Sequence, residues 1–112
     1  MSIFQVETVD NPSCLHAPYI ENIDLELINI GMSTYEALII VEGPQGVFFQ
    51  GLYSLPSGVP TNIDGIRTGY AFFKLMIFTN TNNCYETAII IKCRNQGQLL
   101  AVYTQEQMQK DY

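Results

Sequence analysis

The sequence predicts an all-β domain, a two-sheet, jelly-roll-like sandwich of about seven or eight strands, preceded by an extended N-terminal arm. Three observations predict it. Residues 25–53 and 75–103 read as two copies of one three-stranded unit. Short apolar runs bounded by turn residues recur at strand spacing along the chain. Proline and glycine collect between the two copies, where the chain must cross from one sheet to the other.

Each copy opens with an apolar strand, Leu25-Glu26-Leu27-Ile28 or Leu75-Met76-Ile77-Phe78. A polar loop follows, ending in Tyr35-Glu36 or Tyr85-Glu86. Next come an apolar run (Ala37-Leu38-Ile39-Ile40 or Ala88-Ile89-Ile90-Ile91), a turn ending in Gln45-Gly46 or Gln96-Gly97, and a last strand near Tyr53 or Tyr103. The offset between copies reads as 50 up to the Tyr-Glu pair and 51 after it, which aligns Gly46 with Gly97. A repeat of this kind sets architecture before any single residue is interpreted, because two units that cannot each bury an apolar face can bury those faces against one another.

Along the chain, residues 1–22 form the arm, with a strand over 3–9 and breaks at Pro12 and Pro18. Ile23-Asp24-Leu25-Glu26-Leu27 alternates apolar and acidic residues, the period of a half-buried strand. The run 37–41 is continuously apolar, as in a strand covered on both faces. The linker 54–69 carries Pro56, Pro60, Gly58, Gly65 and Gly69, so it reads as irregular with a short strand near 59–63. Residues 70–78 read as one long strand, and 105–112 as a polar tail of one helical turn or less. The domain proper is therefore 23–104, with repeat units 23–53 and 73–103. The expected core is Leu25, Leu27, Ile39, Phe48, Leu75, Ile77, Ile90 and Leu100.

At 112 residues the chain is one domain, large enough to bury a core without disulfide or metal support. It is 47% hydrophobic and only 14% charged, against about 25% charged in a typical soluble domain. A polar surface with little charge suits contact with other protein. The net charge of -6 and the five basic residues leave no basic footprint, which argues against nucleic acid and anionic membrane as partners. The N-terminus lacks the basic and apolar regions of a signal peptide, and no apolar run approaches the roughly 20 residues of a membrane helix. Synthesis in the cytoplasm is expected, with a later place in an external, spore or virion structure left open.

Chemistry is sparse. Cys14, Cys84, Cys93 and His16 count out as a zinc-type set, but Cys84 and Cys93 flank one predicted strand and stand roughly 30 Å apart. A disulfide needs Cα atoms within about 7 Å. No metal site and no cofactor are expected. At least one cysteine is left over, as a buried free thiol or as half of a bridge between subunits. His16 has no nucleophile elbow or phosphate loop to work with, so no catalytic residue and no enzyme activity are expected. Asp24 and Glu26 share a strand face and read as solvated.

With Cys14 in an arm and Cys84 and Cys93 in the body, the chain resembles the small jelly-roll subunits of bacterial spore appendages and related filaments. That resemblance implies a self-assembling structural subunit, a homo-oligomer or filament joined through its arm, with Cys14 bridging to Cys84 or Cys93 of another copy. An acidic phage or mobile-element accessory protein that caps a basic site is the alternative, and a small glycan-binding sandwich the second.

Overall fold

The computed structural model describes residues 1–7 and 19–111. Among them nine strands run in chain order: β1 (Ser2–Glu7), β2 (Asn22–Asn29), β3 (Tyr35–Gly43), β4 (Gly46–Leu55), β5 (Pro60–Arg67), β6 (Lys74–Thr79), β7 (Thr87–Asn95), β8 (Gln98–Thr104) and β9 (Gln109–Asp111). They form two sheets, of order β4-β3-β6-β1-β9 and β5-β2-β7-β8. The expected two-sheet sandwich is present. The hairpins β3–β4 and β7–β8 each stay within one sheet. The connection β2 to β3, and likewise β6 to β7, passes from one sheet to the other.

Alternation of burial builds the core. Phe4, Leu25, Leu27, Ile39, Leu75, Ile77, Ile89, Ile91 and Cys93 point inward with 1% exposure or less. Three of the expected core residues do not. Ile90 faces outward, one position out of phase with Ile89 and Ile91. Phe48 and Leu100 are 45% and 46% exposed. Both sit at register shifts: Val41 pairs with Phe49 and Glu42 with Val47, which leaves Phe48 unpaired, and Leu100 is left unpaired in the same way between Cys93–Ala101 and Arg94–Leu99. A bulge residue has no fixed place in the alternation.

The repeat is visible in the pairing. Without β9, the two sheets read β1-β6-β3-β4 and β5-β2-β7-β8, and exchanging β1 with β5, β2 with β6, β3 with β7 and β4 with β8 converts one into the other. The copies interleave, because β2 pairs with β7 and β3 with β6. The inward residues Leu25 and Leu27 match Leu75 and Ile77 at an offset of 50. Tyr35, Ala37, Ile39 and Val41 match Thr87, Ile89, Ile91 and Cys93 at 52, as Phe48 matches Leu100. The offset of 51 is thus corrected to 52. An odd shift would put buried Ala37 on outward Ala88, since one residue of slip reverses every side chain. Gly46 and Gly97 accordingly do not align. The first hairpin closes at Gly43–Gly46, with Gly46 at φ 110, and the second at Asn95–Gln98, with Gln96 and Gly97 at φ 52 and 80 as a type I′ turn requires.

The segments outside the repeat take part in the sandwich. Within the arm 1–22, β1 is an interior strand hydrogen-bonded to β6 on one side and β9 on the other, and Phe4 is fully buried. It cannot add to a neighbour's sheet without leaving its own. Within the tail 105–112, a 3-10 turn at Gln105–Gln107, opened by a Thr104 capping box, leads through buried Met108 into β9, Gln109–Asp111. The linker holds a full eight-residue strand, β5, rather than a short one. Gly65 at φ 75 makes this possible, because it lets Asp64-Gly65 bulge out between the pairs Leu25–Ile63 and Ile23–Ile66. The long strand expected over 70–78 begins only at Lys74, since Gly69 and Tyr70 turn the chain at φ 62 and 63.

Candidate assembly surfaces

The residues singled out for chemistry are dispersed. Cys84 lies in a 3-10 turn, Cys84–Glu86, and Cys93 near the end of β7. Both are free, buried thiols. Burial pushes the Cys93 thiol up to about 12, so it stays protonated and poorly reactive at neutral pH. Cys14 and His16 lie outside the described residues. Among the described residues no three His, Cys, Asp or Glu side chains come together as metal ligands.

Asp24 is less solvated than its strand position suggests. Its Oδ1 accepts the Gly65 N–H at 2.7 Å and its Oδ2 accepts Arg94 Nε–H at 2.7 Å. Burial raises its pKa, but the Gly65 N–H and the Arg94 guanidinium more than offset that, and the carboxyl sits below its usual range. The side chain thereby ties the β5 bulge through β2 to β7. This is a structural role: it stabilises the sheet and leaves no open coordination.

What the fold does expose is its sheet edges. A sandwich of two open sheets has four, and an edge strand presents unpaired N–H and C=O groups that can template pairing with another chain. Two of the four are blunted. β9 is three residues long and includes Lys110. β5 begins at Pro60, bulges at Asp64-Gly65 and ends in exposed Arg67. The other two carry none of these charges or prolines. β4, Gly-Val-Phe-Phe-Gln-Gly-Leu-Tyr-Ser-Leu, has no charged residue and no proline. β8, Gln-Leu-Leu-Ala-Val-Tyr-Thr, has none either. Both also expose large apolar side chains: Val47, Phe48 and Leu52 on β4, and Leu99, Leu100 and Val102 on β8. Their bulges lie next to the hairpin tips, so regular pairing geometry persists over 49–55 and 101–104.

The unguarded edges are counterparts under the internal repeat. They also lie at opposite margins of the sandwich, since β4 stands beside β5 and the β8 margin lies beyond β7 at the far side. Sequence reading missed them because it placed Phe48 and Leu100 in the core. The signal was the absence of charge over two strand-length runs in a chain whose β5 carries Asp64 and Arg67. Comparison with protein-family models, with curated proteins and with solved structures returned no match.

Proposed function

We propose that the chain is a self-assembling structural subunit whose copies join through the β4 and β8 edges. The contrast between guarded and unguarded edges carries this reading. Edge pairing supplies main-chain hydrogen bonds, and the exposed apolar residues of both edges become covered. With one such edge at each margin, every copy has two neighbours, and addition continues in a line. The arm is not needed for the joint, because β1 is already committed to its own sheet.

Sedimentation velocity of the full chain and of Ser54→Lys/Val102→Lys tests the reading. Both positions are exposed and lie within the regularly paired stretches 49–55 and 101–104, so lysine is accommodated while blunting each edge. The full chain should form long concentration-dependent species, and the variant none larger than a dimer. A variant that assembles as the parent does rules out edge joining.

A further inference from the structure

Sandwich sheets normally turn a polar face to water. Here the two outer faces, equivalent under the repeat, have diverged. That of the β5-β2-β7-β8 sheet carries Asp24, Glu26, Lys92 and Arg94 across its middle, beside Ile28, Ala88 and Ile90. That of the β4-β3-β6-β1 sheet keeps its charges at its two ends, Glu36 at one and Glu7, Glu42 and Lys74 at the other, around an apolar centre, and no third layer of described residues stands over it. Beyond the pair Glu36–Ser54 at one end, its residues lie in three cross-strand rows. In order from β4 to β1 they are Leu52, Leu38, Phe78, Ile3; then Gln50, Ile40, Met76, Gln5; then Val47, Glu42, Lys74, Glu7.

These rows are self-complementary. A two-fold axis parallel to the strands, running between β3 and β6, reverses each row onto its copy. The first row then sets Leu52 over Ile3 and Leu38 over Phe78. The second sets Gln50 over Gln5 and Ile40 over Met76. The third sets Glu42 over Lys74 and Lys74 over Glu42. In the first two rows apolar residues meet apolar ones and amides meet amides; in the third the two opposite charges nearest the axis meet each other, and Val47 lies over Glu7 at the margin. An axis between β4 and β3 sets Val47 over Glu42 and leaves β6 and β1 uncovered, and an axis between β6 and β1, although it sets Lys74 over Glu7, leaves the apolar edge strand β4 uncovered.

We infer that this face binds the same face of a second copy, in an isologous pair about that axis. The pairing is distinct from edge joining and would bind two edge-joined lines back to back. Four strands at about 4.8 Å by five residues at about 3.3 Å make a patch of roughly 19 Å by 16 Å, the size of a weak interface that forms at high concentration or is reinforced by assembly.

The test separates this pair from edge joining by using Ser54→Lys/Val102→Lys throughout, since neither residue lies in the three rows. In that background the chain should dimerise in sedimentation equilibrium at high protein concentration. Adding Glu42→Lys sets a second positive charge against Lys74 of the other copy, and adding Lys74→Glu instead sets a second negative charge against Glu42. Each should weaken dimerisation by at least roughly tenfold. Mixing the two single-charge variants should restore a 1:1 heterodimer, since every contact across the axis is then opposite in sign. The pair Glu42–Lys74 is also adjacent within one chain, but that adjacency stays broken in both mixed partners, so recovery can only be intermolecular. A background protein that is monomeric at all concentrations, or a mixture that stays monomeric, overturns the inference.

Discussion

The hydroxyls of Tyr35 and Thr87 lie 2.6 Å apart in the core, at positions that the internal repeat relates at an offset of 52. Counterparts thus meet each other near the axis of the repeat. The Tyr35 hydroxyl also lies 2.8 Å from the Glu86 carbonyl, which can only accept. The phenol proton therefore goes to Glu86 and the Thr87 hydroxyl donates to Tyr35. Burial raises the Tyr35 pKa, the Thr87 hydrogen bond lowers it and the Glu86 charge raises it again, so the phenol stays protonated and able to donate.

Tyr35→Phe should therefore cost about 1–3 kcal/mol, because it strands the Thr87 hydroxyl and removes one of the two hydrogen bonds to the Glu86 carbonyl, which keeps only the Ile30 N–H. Tyr35→Phe/Thr87→Val should cost less than the two single changes summed. Urea unfolding of the four proteins gives the coupling, and strict additivity would show that the two hydroxyls do not interact.

Cys93 predicts an alkaline limit to stability. Its thiol is raised from 9.0 to about 12 by burial, so the unfolded chain loses this proton at lower pH than the folded one. The stability it contributes is complete below pH 9 and is lost as pH rises toward 12. At about pH 10.5 the loss is about 2 kcal/mol. Cys93→Val should flatten that part of the curve relative to the parent, as measured by urea midpoints at about pH 8 and 10.5. Equal slopes in both proteins would place the thiol in contact with water.

Neighbouring residues on β7 test the phase of the sheet. Ile89 is fully buried and Ile90 faces outward. Ile89→Ala should cost about 2–5 kcal/mol and Ile90→Ala about 1 kcal/mol or less in the isolated subunit. Similar costs would mean that the register is displaced.

The β class, the two copies and most of the core were legible because side-chain alternation and turn residues act locally. Leu25, Leu27, Leu75 and Ile77 follow from pattern alone. Ile90 was not legible, because the run Ala88-Ile89-Ile90-Ile91 is apolar on both faces and carries no phase of its own; pairing with β2 supplies it. Phe48 and Leu100 depend on bulges set by how each hairpin closes. β5 was hidden because Pro60 and Gly65 read as breakers until a partner strand accommodates them. Cys84 and Cys93 fall in separate elements, a 3-10 turn and β7. The candidate surfaces were not seen, since an edge exists only once sheet order is known.

Electron microscopy of the full chain at high concentration tests the central claim most directly. The sandwich measures 39 × 25 × 24 Å. Edge joining advances one copy per sheet width, about five strands at ~4.8 Å. The account predicts linear particles with strands across the long axis and an axial repeat close to the 24–25 Å short dimensions, absent from Ser54→Lys/Val102→Lys. Dispersed single sandwiches at every concentration, or linear particles that persist unchanged in that variant, would contradict it.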